Sequence, residues 1–121
     1  MTQEERFQAV FSALKTILQP YAAHLTTEAD LPDNFSLNGP FVPKYQKELW
    51  FGAVQQRKNY VSYHLMPVYL HPELLKDISP ALRRRMQGKS CFNFTRLDPL
   101  LFDELAELTA RGYALFQQEA S

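Results

Sequence analysis

Two runs rich in aromatic and β-branched residues, Leu49 to Gln55 and Tyr60 to Met66, stand either side of the polar segment Gln56-Arg57-Lys58-Asn59. Runs of that length and composition, joined by so short a polar stretch, fold back on one another as an antiparallel hairpin. The pair sets the centre of a sheet. In the second run, alternation places Val61, Tyr63 and Leu65 on one face and Tyr60, Ser62, His64 and Met66 on the other. The first set calls for helices to cover it; the second is more polar and is expected to face solvent or a ligand.

Helices are marked at both ends of the chain. Thr2 followed by Glu5 reads as a capping box, and Phe7, Val10, Phe11, Leu14, Ile17 and Leu18 then recur at the spacing of one helix face. Pro20 ends or kinks that helix, and Tyr21 to Leu25 adds a short second piece. At the other end Asp98 caps a helix with Pro99 in its first turn, and Leu101, Phe102, Leu105, Ala106, Leu108, Tyr113 and Phe116 form a broad apolar stripe that Gly112 weakens. Between hairpin and final helix, His71-Pro72 and Ser79-Pro80 start short helices over Pro72 to Ile78 and Pro80 to Gln87, the latter stopped by Gly88. Cys91 to Arg96 is a third main strand.

From Thr26 to Pro43 the turn formers Pro32, Asp33, Asn34, Asn38, Gly39, Pro40 and Pro43 predict a loop with Phe35-Ser36-Leu37 as a short edge strand. Asn38-Gly39 reads as a tight hairpin turn into Phe41-Val42. The predicted fold is α+β in two layers, an antiparallel sheet with N- and C-terminal helices packed on one face, as a single domain over residues 1–121.

Composition narrows the function classes. Thirteen basic and thirteen acidic residues leave no net charge, so the long-range attraction used by nucleic-acid binders is absent from the chain as a whole and no nucleic-acid partner is expected. No apolar run reaches the roughly 18 residues of a membrane span, so no membrane partner is expected. A lone cysteine, Cys91, and a start without a charged, apolar leader fit a cytoplasmic protein.

The leading amphipathic helix, the Trp50-containing hairpin, the Pro-initiated short helices, the strand lead-in Gly88-Lys89-Ser90-Cys91-Phe92-Asn93-Phe94 and the leucine-rich closing helix together resemble the bacterial YdhG-like family, most closely from about Leu49 to Leu108. The family is a domain of unknown function often described as a frataxin-like intracellular iron chaperone. The resemblance implies a two-layer α+β fold and a part in iron handling, with iron as the one cofactor it suggests. This chain departs from the frataxin pattern in lacking an acidic ridge on its first helix: Arg6 and Lys15 follow Glu4 and Glu5, and no carboxylate lies between Glu5 and Glu28. Hard cations are held by clustered oxygens.

Several residue sets have the chemistry of a site and also a plainer reading. His64, His71, Glu73 and Asp77 are metal-ligand types, but H-x-x-x-H, H-E-x-x-H and C-x-x-C spacings are lacking, and His71 and Glu73 suit a helix start. Cys91 with His64 suggests a thiol nucleophile and its base; a lone cysteine is more often a small buried hydrophobe. Arg83, Arg84, Arg85, Lys89 and Arg96 beside Ser90 suit a small anion, and otherwise form a solvated rim. Trp50, Tyr60 and Tyr63 offer stacking or simply pack. The reading that follows is a non-enzymatic binding domain whose small-molecule or anion site involves Trp50, Tyr60, Ser62, His64 and Lys89. Its alternatives are a protein-interaction module, homodimeric through the Phe35 to Val42 edge, and an enzyme using Cys91 or His64.

Overall fold

The computed structural model describes residues 2–119. Helix α1 runs Gln3–Leu18, opened by the expected capping box: Thr2 Oγ1 accepts from the Glu5 amide at 3.1 Å, and Glu5 Oε1 accepts from the Thr2 amide at 3.2 Å. Pro20 then lies in a 3-10 turn, Gln19–Ala23. Strands β1 (Thr26–Leu31), β2 (Asn34–Val42), β3 (Lys47–Gln56) and β4 (Val61–Leu65) follow, then the short helices α2 (Met66–Leu70) and α3 (Pro80–Arg83), strand β5 (Cys91–Phe94) and the long α4 (Pro99–Glu119). The strands form one five-stranded antiparallel meander in chain order, with β3 at its centre. The fold is α+β, as the sequence predicts.

Both long helices lie on one face. Val61, Tyr63 and Leu65 are fully buried beneath them, as are Phe7, Val10, Phe11, Leu14 and Leu18 of α1. Phe51 meets Phe116 of α4 with ring centroids 5.1 Å apart, and Phe94 meets Phe102 edge-on at 5.0 Å. Close approach is built in at Gly112, which the apolar stripe alone makes look like a weak point of α4. A Cβ there would sit 3.0 Å from Pro67 Cβ, so glycine lets α4 settle against α2.

Five sequence expectations are corrected. The stretch from Thr26 is a strand, β1, despite five of its six residues being exposed, because its stability comes from pairing with β2 rather than from an apolar face. Phe35-Ser36-Leu37 is therefore interior, bonded on both sides, so the expected homodimer edge is covered over Phe35 to Asn38, while Phe41 and Val42 pair with β3 alone. Asn38-Gly39 is no hairpin turn: β2 runs through it, with its register against β3 shifting between Leu37 and Phe41, and Pro40 occupies that irregularity. The helix expected over Pro80 to Gln87 is a single turn, because the backbone beyond it pairs with β5 instead: the Asn93 amide donates to Arg85 O at 2.8 Å and the Gln87 amide to Cys91 O at 2.8 Å. Pro72–Leu75 is likewise one 3-10 turn rather than a helix reaching Ile78.

Candidate functional site

Among the described residues, no helix lies on the second face of the sheet. Register places Ser36, Ala53, His64 and Cys91 in one row across β2 to β5, with Asn34, Gln55, Ser62 and Asn93 in the next. The small residues of these rows are covered by their larger neighbours: Ser36 is 6% exposed and Ser62 1%. Trp50 rises from β3 opposite Asn38, its ring 5.5 Å from that of His64. Beside the indole is an open hollow of about 530 Å³, lined by Glu28, Asn34, Ser36, Asn38, Trp50 and Gln55. That volume lies within the ~300–1,000 Å³ of small-molecule sites.

A hydrogen-bond chain sets the hollow's wall. Trp50 Nε1 donates to Ser36 Oγ at 3.0 Å, and Ser36 Oγ donates to Glu28 Oε2 at 3.2 Å. Glu28 reaches this face because it is the unpaired residue of a bulge between Thr27 and Ala29 in β1, a device that re-aims one side chain. Next to the indole, Ser62 Oγ and His64 Nε2 are 3.1 Å apart, and Cys91 Sγ lies 3.9 Å from the same nitrogen while donating to Asn93 Oδ1 at 3.4 Å.

The protonation states argue against a nucleophile. Burial lowers the His64 pKa, and the Arg57 charge acts in the same direction; burial raises that of Cys91, against a smaller downward pull from Arg57. Both groups are held neutral, the reverse of the thiolate and imidazolium that cysteine catalysis uses. What the arrangement supplies is stacking from Trp50 and His64 and a field of hydroxyl and amide groups.

Of the residues expected at a site, Trp50, Ser62 and His64 come together on this face. Tyr60 stands before β4 at the end of the hairpin loop, its carbonyl accepting from the Arg57 amide at 2.8 Å. Lys89 lines a different hollow with Val68, Tyr69 and Arg83. Asn34, Ser36, Gln55 and Asn93 belong to the surface and were not singled out by sequence; the alternation of Asn93 with Phe92 and Phe94 is the signal that marks such residues. His71 Nδ1 lies 3.4 Å from Glu73 Oε1 beside the 3-10 turn. Among the described residues no group of three or more His, Cys, Asp or Glu is placed to hold a metal ion, so a role with iron rests on the resemblance alone. Among them, too, no helix is long and apolar enough to cross a membrane. No family model, curated protein or solved structure matches the chain.

Proposed function

We propose that this protein is a non-enzymatic, cytoplasmic binding domain of the YdhG-like kind, taking a small, polar, ring-bearing molecule such as a nucleobase or a pyranose on the helix-free face of its sheet. The observation that carries this reading is the hollow beside Trp50, lined by an aromatic ring, hydroxyl and carboxamide groups and the Glu28 carboxylate, which the Ser36 hydroxyl engages. An exposed aromatic face binds a flat or hydrophobic ring surface, and side chains that both donate and accept suit an uncharged polar rim.

Trp50 is the sole tryptophan, so its fluorescence reports directly on this face. Titration with a panel of free nucleobases and monosaccharides is expected to give a saturable change for at least one of them, abolished in Ser36→Val and weakened in His64→Ala. If no member of the panel perturbs Trp50 saturably, the reading fails.

A further inference from the structure

We propose that the hollow between the Arg84-Arg85 turn and the start of α4 is a binding site for a phosphate group. It is separate from the Trp50 face and does not depend on the function proposed for that face. Residues 83–96 include Arg83, Arg84, Arg85, Lys89 and Arg96 but no Asp or Glu, a local excess of positive charge in a chain with none overall. The fold concentrates it further. Arg84, Arg85 and Arg96 line one hollow of about 210 Å³, together with Phe94, Thr95 and Asp98.

Three of the other four arginines already have protein acceptors. Arg6 Nε donates to Thr95 O at 3.1 Å, Arg57 donates to Gln55 Oε1, and Arg83 donates to Leu75 O. Among the described residues, the ion pairs and close acid-base contacts are Lys15 with Asp30 and His71 with Glu73, so none of the three guanidinium groups of the hollow has a carboxylate partner. Their side chains are exposed, and the backbone that carries them is fixed. The Arg84 amide donates to Pro80 O at 3.0 Å, the Arg85 amide to Leu82 O at 2.9 Å, and the Arg85 carbonyl accepts from Asn93 of β5 at 2.8 Å. Arg96 stands two residues beyond the end of that strand, and the helix that comes next is fixed by Asp98 Oδ1 accepting from the Leu101 amide at 3.4 Å.

Planar guanidinium groups match the oxygens of a phosphate two at a time, and three around one space suit a dianion better than a carboxylate. The hollow is smaller than the ~300 Å³ lower bound of sites that enclose a whole drug-sized molecule, so it fits the charged group and leaves the remainder outside. Leu97 and Leu100, 50% and 81% exposed, stand beside it. The phosphate can therefore be free in solution or be the headgroup of a lipid into which those leucines dip.

The test has two arms, both on the full chain. Inorganic phosphate is titrated while backbone amide spectra are recorded, and vesicles of phosphatidylcholine with and without phosphatidic acid are tested by co-sedimentation. Saturable shifts centred on Thr95, Arg96 and Asp98 are expected, with Arg84→Ala and Arg96→Ala each weakening binding about tenfold, the worth of one charged hydrogen bond. Arg111→Ala, on the exposed side of α4, should change nothing. Asp98→Asn keeps the helix cap but removes the opposing charge, and should tighten binding. Phosphatidic acid vesicles that bind when inorganic phosphate does not, with loss of binding in Leu100→Ser, assign the source to lipid; phosphate binding that vesicles do not improve assigns it to solution. Absence of saturable binding in both arms, or an Arg111→Ala loss equal to that of Arg84→Ala, overturns the site.

Discussion

The two faces of the sheet are made by the same strands and have opposite constitutions. On β4, Val61, Tyr63 and Leu65 are sealed under α1 and α4, while Ser62 and His64, one residue out of phase, belong to a surface of hydroxyls, carboxamides and two aromatic rings. The covered face is where burial of hydrocarbon stabilises the fold. The other face contributes little apolar burial, yet holds a half-buried tryptophan and an ordered polar wall. The hydrocarbon that stabilises the fold and the polar surface proposed to bind are thus separated by the two-residue period of a strand, and substitutions should sort by face rather than by position along the chain.

The widest separation is expected from truncating the covered face. Phe51→Ala empties a space shared with Phe116, Tyr113 and Tyr21 and should cost about 3–5 kcal/mol in chemical denaturation, whereas Ser36→Ala on the other face should cost about 1 kcal/mol or less. Comparable losses from the two would break the distinction.

The covered face also contains one polar contact, and it sharpens the comparison. Thr109 Oγ1 donates to Leu105 O at 2.8 Å, so in its 2.6 Å contact with Tyr63 the phenol is the donor. Burial pushes the Tyr63 pKa far up, keeping the hydroxyl protonated. Thr109→Val leaves that buried hydroxyl without an acceptor and should cost about 1–3 kcal/mol; Tyr63→Phe removes the donor instead and should cost about 1 kcal/mol. Thermal melts of the two single variants and the double variant resolve the difference.

Between the faces stands Gly52. A Cβ there would approach His64 O to 2.8 Å and Leu18 Cδ2 to 3.4 Å, so Gly52→Ala must shift the β3–β4 pairing and should destabilise by about 1–3 kcal/mol. Because the clash is with the backbone of His64, the Trp50 emission spectrum should move as well.

The smallest effect expected is a pH dependence confined to the open face. The folded pKa of His64 lies below the unfolded value of 6.5, so the unfolded chain binds more protons in the interval between them. Its contribution to stability is complete above that value and declines as pH falls through the interval. His64→Gln should flatten the stability profile just below the ordinary imidazole pKa of about 6.5. An unchanged slope would show that the imidazole is as solvated as in the unfolded chain.

Much of this division was legible in sequence. The alternation of Tyr60 to Met66 gave the two faces of β4, the Thr2 and Glu5 pair gave the start of α1, and Pro99 with its apolar stripe gave α4. Strand β1 was not legible, since Thr26, Thr27, Glu28 and Asp30 lack an apolar period and depend on a neighbour. Nor was the bulge that brings Glu28 to Ser36, because no residue type announces a bulge in an exposed strand. The brevity of α3 was hidden for a related reason: Arg85 to Gln87 have adequate helix propensity, and only the β5 backbone, distant in sequence, offers them a better partner.

The central claim is that a small ring-bearing molecule is taken on the helix-free face of the sheet. Amide and indole spectra of the uniformly labelled protein, recorded against the panel of nucleobases and monosaccharides, test it most directly. Saturable shifts are expected at Ser36, the Trp50 indole, Ser62 and His64, with Val61, Tyr63 and Leu65 shifting only weakly as their strand neighbours. A ligand that instead perturbs residues of α1 and α4, leaving the indole signal in place, would contradict the claim.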